Sequence, residues 1–281
     1  SYHDRGAGGV GPFMSPCDSI QAHGKLWLNE DDARTHLADP TAGYGRTENM
    51  RETIGVYRRN FGHQFERYCA TWWMDFGTGW MADPEIFDNF ARTRDIWLQR
   101  AKPARFSPQV AIITDEDSFF YLRNGNAITS PSVSGMRLQF DRMGCPVGLY
   151  LMQDVCDGVV PDSVRFFVFL NAYRVTDEQL AGIRKAIDGK SALWFYAPGY
   201  VNQMAAAENV TRLLGFTVTE TPEGTSARLA LADAPPVPIQ RLQPATFGPD
   251  TRPHPLFSVA PDQEGVVALG TYEGTDRVAV A

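Results

Sequence analysis

His23-Gly24-Lys25-Leu26-Trp27-Leu28-Asn29-Glu30-Asp31-Asp32-Ala33-Arg34-Thr35-His36 contains a short apolar run that ends abruptly in three consecutive acids. A strand here delivers carboxylates to its own C-terminal end. In a (β/α) barrel the chemistry sits there, on the loops that follow the strands. Glu30 is therefore the first candidate catalytic residue. The same acids also suit a solvated turn opening a helix, because carboxylates are favoured near a helix N-terminus.

A second segment repeats the pattern. Tyr68-Cys69-Ala70-Thr71-Trp72-Trp73-Met74-Asp75-Phe76-Gly77-Thr78-Gly79-Trp80 reads as a buried strand followed by an aromatic, glycine-containing loop. Two successive βα units thus end in polar and aromatic side chains. Sugar rings present C–H faces that pack on tryptophan, and glycosidic cleavage uses Asp or Glu as nucleophile and general acid. Core packing is the competing reading of Trp72, Trp73 and Trp80. It must hold for at least one of the adjacent pair, since neighbours on a strand point to opposite faces.

These stretches resemble the later barrel strands of the β-galactosidase-like glycoside hydrolases of family 42. The resemblance is carried by Ser1-Tyr2-His3-Asp4-Arg5, by Gly24-Lys25-Leu26-Trp27 with Glu30-Asp31-Asp32 and Arg34-Thr35-His36, and by Trp72-Trp73-Met74-Asp75-Phe76. It implies that Glu30 is the nucleophile at the end of the seventh strand. It also implies that Arg5 follows the sixth strand and that Trp72 or Trp73 lines the sugar subsite. Arg5, Asp32, Arg34, Trp72 and Trp73 are the expected substrate-binding residues. The implied activity is retaining hydrolysis of terminal β-galactosides or related glycosides through a covalent glycosyl-enzyme. A non-catalytic sugar-binding or oligomerisation fragment is the alternative.

The chain departs from the family in length. A complete barrel needs about 250 residues, and only the first hundred or so of the 281 here have barrel character. The strands that carry the acid/base Glu are missing, so a truncated N-terminus is expected. Asp31, Asp32 and Asp75 are the local alternatives for a second carboxylate. They are better expected as hydrogen-bond partners of Arg34, Lys25 or a sugar hydroxyl.

Between the two strands, Met50, Ile54, Tyr57, Phe61 and Phe65 recur at helical spacing, which predicts an amphipathic helix over 47–68. Arg51, Arg58, Arg59 and Arg67 mostly occupy its other faces and are expected to be solvated or paired with Glu52 and Glu66. A further helix is predicted from Pro84 to Leu98, and a linker at Lys102–Pro108, where two prolines interrupt regular structure.

Beyond the linker, apolar runs alternate with helices. Strands are predicted at Val110–Ile113, Val147–Met152, Val164–Leu170 and Ala192–Ala197. Helices are predicted around Met136–Met143 and at Thr176–Ile187, the latter capped by Thr176 with Gln179. Continuous apolar strands between helices indicate a parallel sheet covered on both faces. This part is flavodoxin-like and resembles the amidotransferase-like domain that mediates trimer formation in family 42 enzymes. Its loop edge is expected at Asn171-Ala172-Tyr173 and Ala197-Pro198-Gly199-Tyr200. Amidotransferase chemistry needs a Cys with a His partner. Tyr196–Tyr200 contains no Cys, and no His occurs between His63 and His254. No GxGxxG follows the first strand, so no dinucleotide is expected. Asn209-Val210-Thr211 is read as a chance glycosylation sequon.

The tail from about Asp233 is proline-rich, with Pro235-Pro236-Val237-Pro238, and a small β element is expected from Ser226–Leu231, Val266–Tyr272 and the terminal Val278-Ala279-Val280-Ala281. The predicted architecture is thus α/β: a partial (β/α) barrel over 1–104, a flavodoxin-like parallel-sheet domain over 105–232, and a β tail over 233–281.

A net charge of -7 with dispersed Lys and Arg argues against nucleic acid or anionic membranes as partners. Cys17, Cys69, Cys145 and Cys156 lack metal-site spacing and read as structural. No cofactor or metal is expected. The expected partners are an oligo- or polysaccharide substrate and further copies of the chain. No apolar stretch is long enough to span a membrane, and the compartment, cytoplasmic or periplasmic, is left open.

Overall fold

The computed structural model describes residues 4–100, 106–232 and 246–281. Three sequence readings fall partly or wholly outside the described residues: Ser1-Tyr2-His3 of the first motif, Lys102–Arg105 of the linker and the Pro235–Pro238 run. The fold is α/β with parallel sheets, as the alternation of elements predicts. Contacts divide the chain into two units. The first comprises Ser1–Ala111, Leu138–Tyr150 and Val160–Val164, and the second Ile112–Arg137, Leu151–Val159 and Arg165–Ala281.

In the first unit, helix α1 (Cys17–Ala22) leads to strand β1 (Leu28–Asp31), helix α2 (Met50–Arg67), strand β2 (Ala70–Trp73) and helix α3 (Pro84–Gln99). The strands pair in parallel, in the register Leu28↔Ala70, Asn29↔Thr71, Glu30↔Trp72 and Asp31↔Trp73. The long crossover through α2 allows that direction, since a tight hairpin would force the strands antiparallel. Asn49 caps α2 by accepting from the Glu52 amide at 3.0 Å, and Asp83 caps α3 ahead of Pro84 at its first position.

The predicted stripe of α2 is the buried one. Ile54 and Tyr57 join Ala33, Ala38, Trp80, Met81, Ile86 and Phe90 in one core cluster, with Met50 packed against it. The expectation for the arginines is corrected at two positions. Arg67 is buried and lies 3.3 Å from Asp18, besides donating to the Val147 carbonyl at 2.5 Å. Its predicted partner Glu66 is also present, at 3.2 Å. Arg59 is half-buried and donates to three backbone carbonyls, those of Arg5, Gly6 and Gly9. A guanidinium has five donors in a fixed fork; two loops with unpaired carbonyls draw it inward.

The main parallel sheet takes strand β3 (Val110–Thr114), helix α4 (Met136–Asp141), strand β4 (Val147–Leu151), helix α5 (Met152–Cys156), strand β5 (Phe166–Phe169), helix α6 (Asp177–Ile187) and strand β6 (Ser191–Trp194). Its strand order is β4-β3-β5-β6. Phe167, Val168 and Phe169 are fully buried, and Phe169 stacks on Trp194 at 3.9 Å between ring centres. Gly182 of α6 lets α5 approach, since a Cβ there would lie 2.9 Å from Cys156 Cα. β6 stops at Trp194, short of the predicted Ala197, because Tyr196 turns left-handed with φ 60°.

The remaining elements are helix α7 (Ala207–Leu214) and strands β7 (Val218–Glu220), β8 (Leu229–Leu231), β9 (Thr246–Phe247), β10 (Phe257–Val259), β11 (Gly270–Tyr272) and β12 (Val278–Val280). They form a sheet ordered β7-β10-β12-β11-β8-β9, larger than the small β element expected. Residues 266–269 lie outside β11, which shortens the predicted strand. Asn209 sits in α7, where its amide donates to the Tyr200 and Met204 carbonyls.

Candidate functional site

Residues paired across parallel strands share a face. Leu28, Glu30, Ala70 and Trp72 therefore lie on one face of the β1–β2 pair, and Asn29, Asp31, Thr71 and Trp73 on the other. The second face is the one the helices cover. Asp31 accepts from the Asn60 amide of α2 at 3.0 Å, and Trp73 stacks on Phe90 of α3 with ring centres 4.1 Å apart. The first face is open: Leu28 is 51% and Trp72 40% exposed, and Glu30 is exposed at the strand's end. Glu30 and Trp72 are thus brought together by register, whereas Trp73 is engaged in packing.

The acids next to Glu30 are occupied. Asp31 is buried and accepts from the Ala33 amide at 3.2 Å as well as from Asn60. Burial pushes its carboxyl above the usual range, and those two donors pull it back. Asp32 is buried in an ion pair with Arg5. The expected pairing of Asp31 or Asp32 with Arg34 or Lys25 is corrected. β1 runs one residue beyond Glu30, so Asp31 turns toward the helices, and Asp32 meets Arg5 instead. Asp75 accepts from the Gly77 amide at 2.8 Å, closing its own loop.

Arg34 follows in the loop after β1. Its guanidinium carbon lies 3.9 Å from the centre of the Trp80 ring and 5.8 Å from those of Tyr44 and Phe76. Trp80 is buried in the core, and the Thr35 hydroxyl donates to its carbonyl. Beneath them the Tyr57 hydroxyl donates to the Ala33 carbonyl at 3.2 Å; burial drives that phenol far above its usual range.

Sequence reasoning missed Asn60 and Arg59. Asn60 links Asp31 to Arg59, whose guanidinium donates to the Asn60 side-chain oxygen at 2.8 Å and 3.1 Å. No local motif marks them, because their partners are more than fifty residues away or in another element. It also missed Tyr44 and Phe76, although each precedes a glycine, Gly45 and Gly77, in a turn-like stretch that could have drawn attention.

No protein-family model and no curated protein matches the chain. Solved structures do. The β-galactosidase of the psychrophilic Marinomonas ef1 matches 74% of this chain with a TM-score of 0.50 and 13% identity. The β-galactosidase of the Antarctic haloarchaeon Halorubrum lacusprofundi matches 97% of it with a TM-score of 0.53 and 12% identity. The fold is β-galactosidase-like. The matches span 35% and 42% of the two longer chains, so this chain corresponds to less than half of either enzyme.

Proposed function

We propose that the chain is the nucleophile-bearing part of a retaining glycoside hydrolase of the family 42 β-galactosidase type. The observation that carries this reading is the pairing of Glu30 with Trp72. An exposed carboxylate ends a parallel strand, and its register partner is a half-exposed indole on the same open face.

In this reading a galactoside lays its C–H face on Trp72, and Glu30 attacks the anomeric carbon from the side opposite the leaving oxygen. The C–O bond to the leaving group breaks as the bond to the Glu30 carboxylate forms, giving a glycosyl ester that water then cleaves with retention. The leaving oxygen needs a proton from a second carboxyl about 5 to 5.5 Å away. Asp31 and Asp32 are both buried and paired, so the general acid is assigned to a different part of the full enzyme. Arg5 and Asp32, joined to each other, hold the loops beside the nucleophile. Assembly into a trimer through the flavodoxin-like part belongs to the same reading.

An aryl galactoside with a dinitrophenolate leaving group needs no general acid. The chain is expected to release a burst of dinitrophenolate, and Glu30→Gln to lower that rate by about 10⁴-fold or more. Equal release from both proteins would remove Glu30 from the mechanism.

A further inference from the structure

Arg34 is a cation without a counterion. The chain carries 33 acids against 26 Lys and Arg, yet Arg34 forms no ion pair, and its solvent-shielded Nη1 has no hydrogen-bond partner among the described residues. A buried guanidinium donor left unmade is costly, and the feature calls for an acceptor supplied from outside.

The surroundings indicate what kind. The guanidinium lies over Trp80 at 3.9 Å, so the ring blocks one face and the donors point outward in the plane of the group. Two more aromatics flank it, Tyr44 at 53% and Phe76 at 66% exposure. Both hold left-handed backbones, with φ 62° and 52°. Such conformations are costly for aromatic residues and gather at ligand clamps. In-plane donors match a planar carboxylate in a two-pronged bond, which a single hydroxyl cannot reproduce. The flanking rings offer apolar faces of the kind that pack on sugar C–H groups. The loop holding Arg34 begins only four residues after Glu30.

We infer that Arg34 recognises the carboxylate of an acidic sugar, so that the site takes uronic-acid glycosides in preference to neutral ones. This rests on the sugar-site reading above and narrows its substrate class.

The test is calorimetric titration of the full chain with methyl galacturonoside, its uncharged uronamide and methyl galactoside. The uronate is expected to bind at least about tenfold more tightly than either neutral sugar, the worth of a charged hydrogen bond. Added salt should shrink that advantage, and Arg34→Gln should erase it. The uronamide comparison needs no variant and stands even where Arg34→Gln fails to fold. Equal binding of all three sugars keeps the sugar site and overturns the role of Arg34. A preference that survives Arg34→Gln overturns it too. Binding of none of them overturns both readings.

Discussion

Arg59 concentrates several contacts in one side chain. It donates to the carbonyls of Arg5, Gly6 and Gly9 and to the Asn60 side chain, which in turn holds Asp31 next to Glu30. Hydrogen bonds from a charged donor contribute roughly 1.5–3 kcal/mol each and are not additive, so Arg59→Ala is expected to cost about 2–4 kcal/mol in urea unfolding. Arg59→Lys should recover only part, because an ammonium lacks the fork. Gly11 is fixed by the same group: it has φ 56°, and a Cβ there would lie 2.5 Å from Arg59 Nη2. The two tryptophans separate by role. Trp73→Ala, which removes the stack on Phe90, should cost roughly 2 kcal/mol of stability. Trp72→Ala should cost under about 1 kcal/mol but weaken galactoside binding in the same titration format. The reverse pattern would exchange their roles. Glu30 was legible as a strand-end acid because its neighbours are apolar on one side and acidic on the other. The division of labour between Trp72 and Trp73 was not, since alternation states that they face opposite ways but not which face the helices cover.

Helix α2 shows what an element can disclose in advance. Its apolar spacing gave the length and the buried stripe. The burial of Arg67 was not readable, because arginine is rarely buried and its partner Asp18 lies 49 positions earlier. His63 on the same helix donates from Nε2 to the Val10 carbonyl at 2.8 Å. Burial lowers its pKa, and the nearby Arg67 and Arg59 act in the same direction against that carbonyl. The folded form thus takes up a proton less readily than the unfolded chain, whose His titrates near 6.5. The His63 contribution is fully present above about pH 6.5 and is lost as pH falls through the lower folded pKa. Unfolding free energy should therefore decline with acidification below about pH 6.5, and His63→Gln should flatten that part of the profile. An unchanged slope in the variant would assign the decline to other groups. In the main sheet, Phe169 is fully buried against Phe167 and Trp194, and Phe169→Ala should cost about 3–5 kcal/mol.

At the scale of the whole molecule, the alternation of strands and helices was legible because the strands of the main sheet are continuous apolar runs of four or five residues. The antiparallel sheet was legible only in part. β7, β9 and β10 have three residues or fewer, too short for a period of two to stand out against turns. The likeness to β-galactosidases extends over 97% of the chain in the Halorubrum comparison but only 42% of that enzyme. A site built on one open strand pair is consistent with a catalytic centre shared with further strands. The central claim, that Glu30 is a glycosidic nucleophile, can still be tested on this chain alone. 2-Deoxy-2-fluoro-β-galactosyl fluoride carries a leaving group that needs no strong acid and forms a long-lived ester with a retaining nucleophile. Peptide mapping by mass spectrometry after incubation should find one fluorogalactosyl adduct, on Glu30, and none in Glu30→Gln. An adduct on another residue, or an unmodified Glu30 under saturating reagent, would contradict the account.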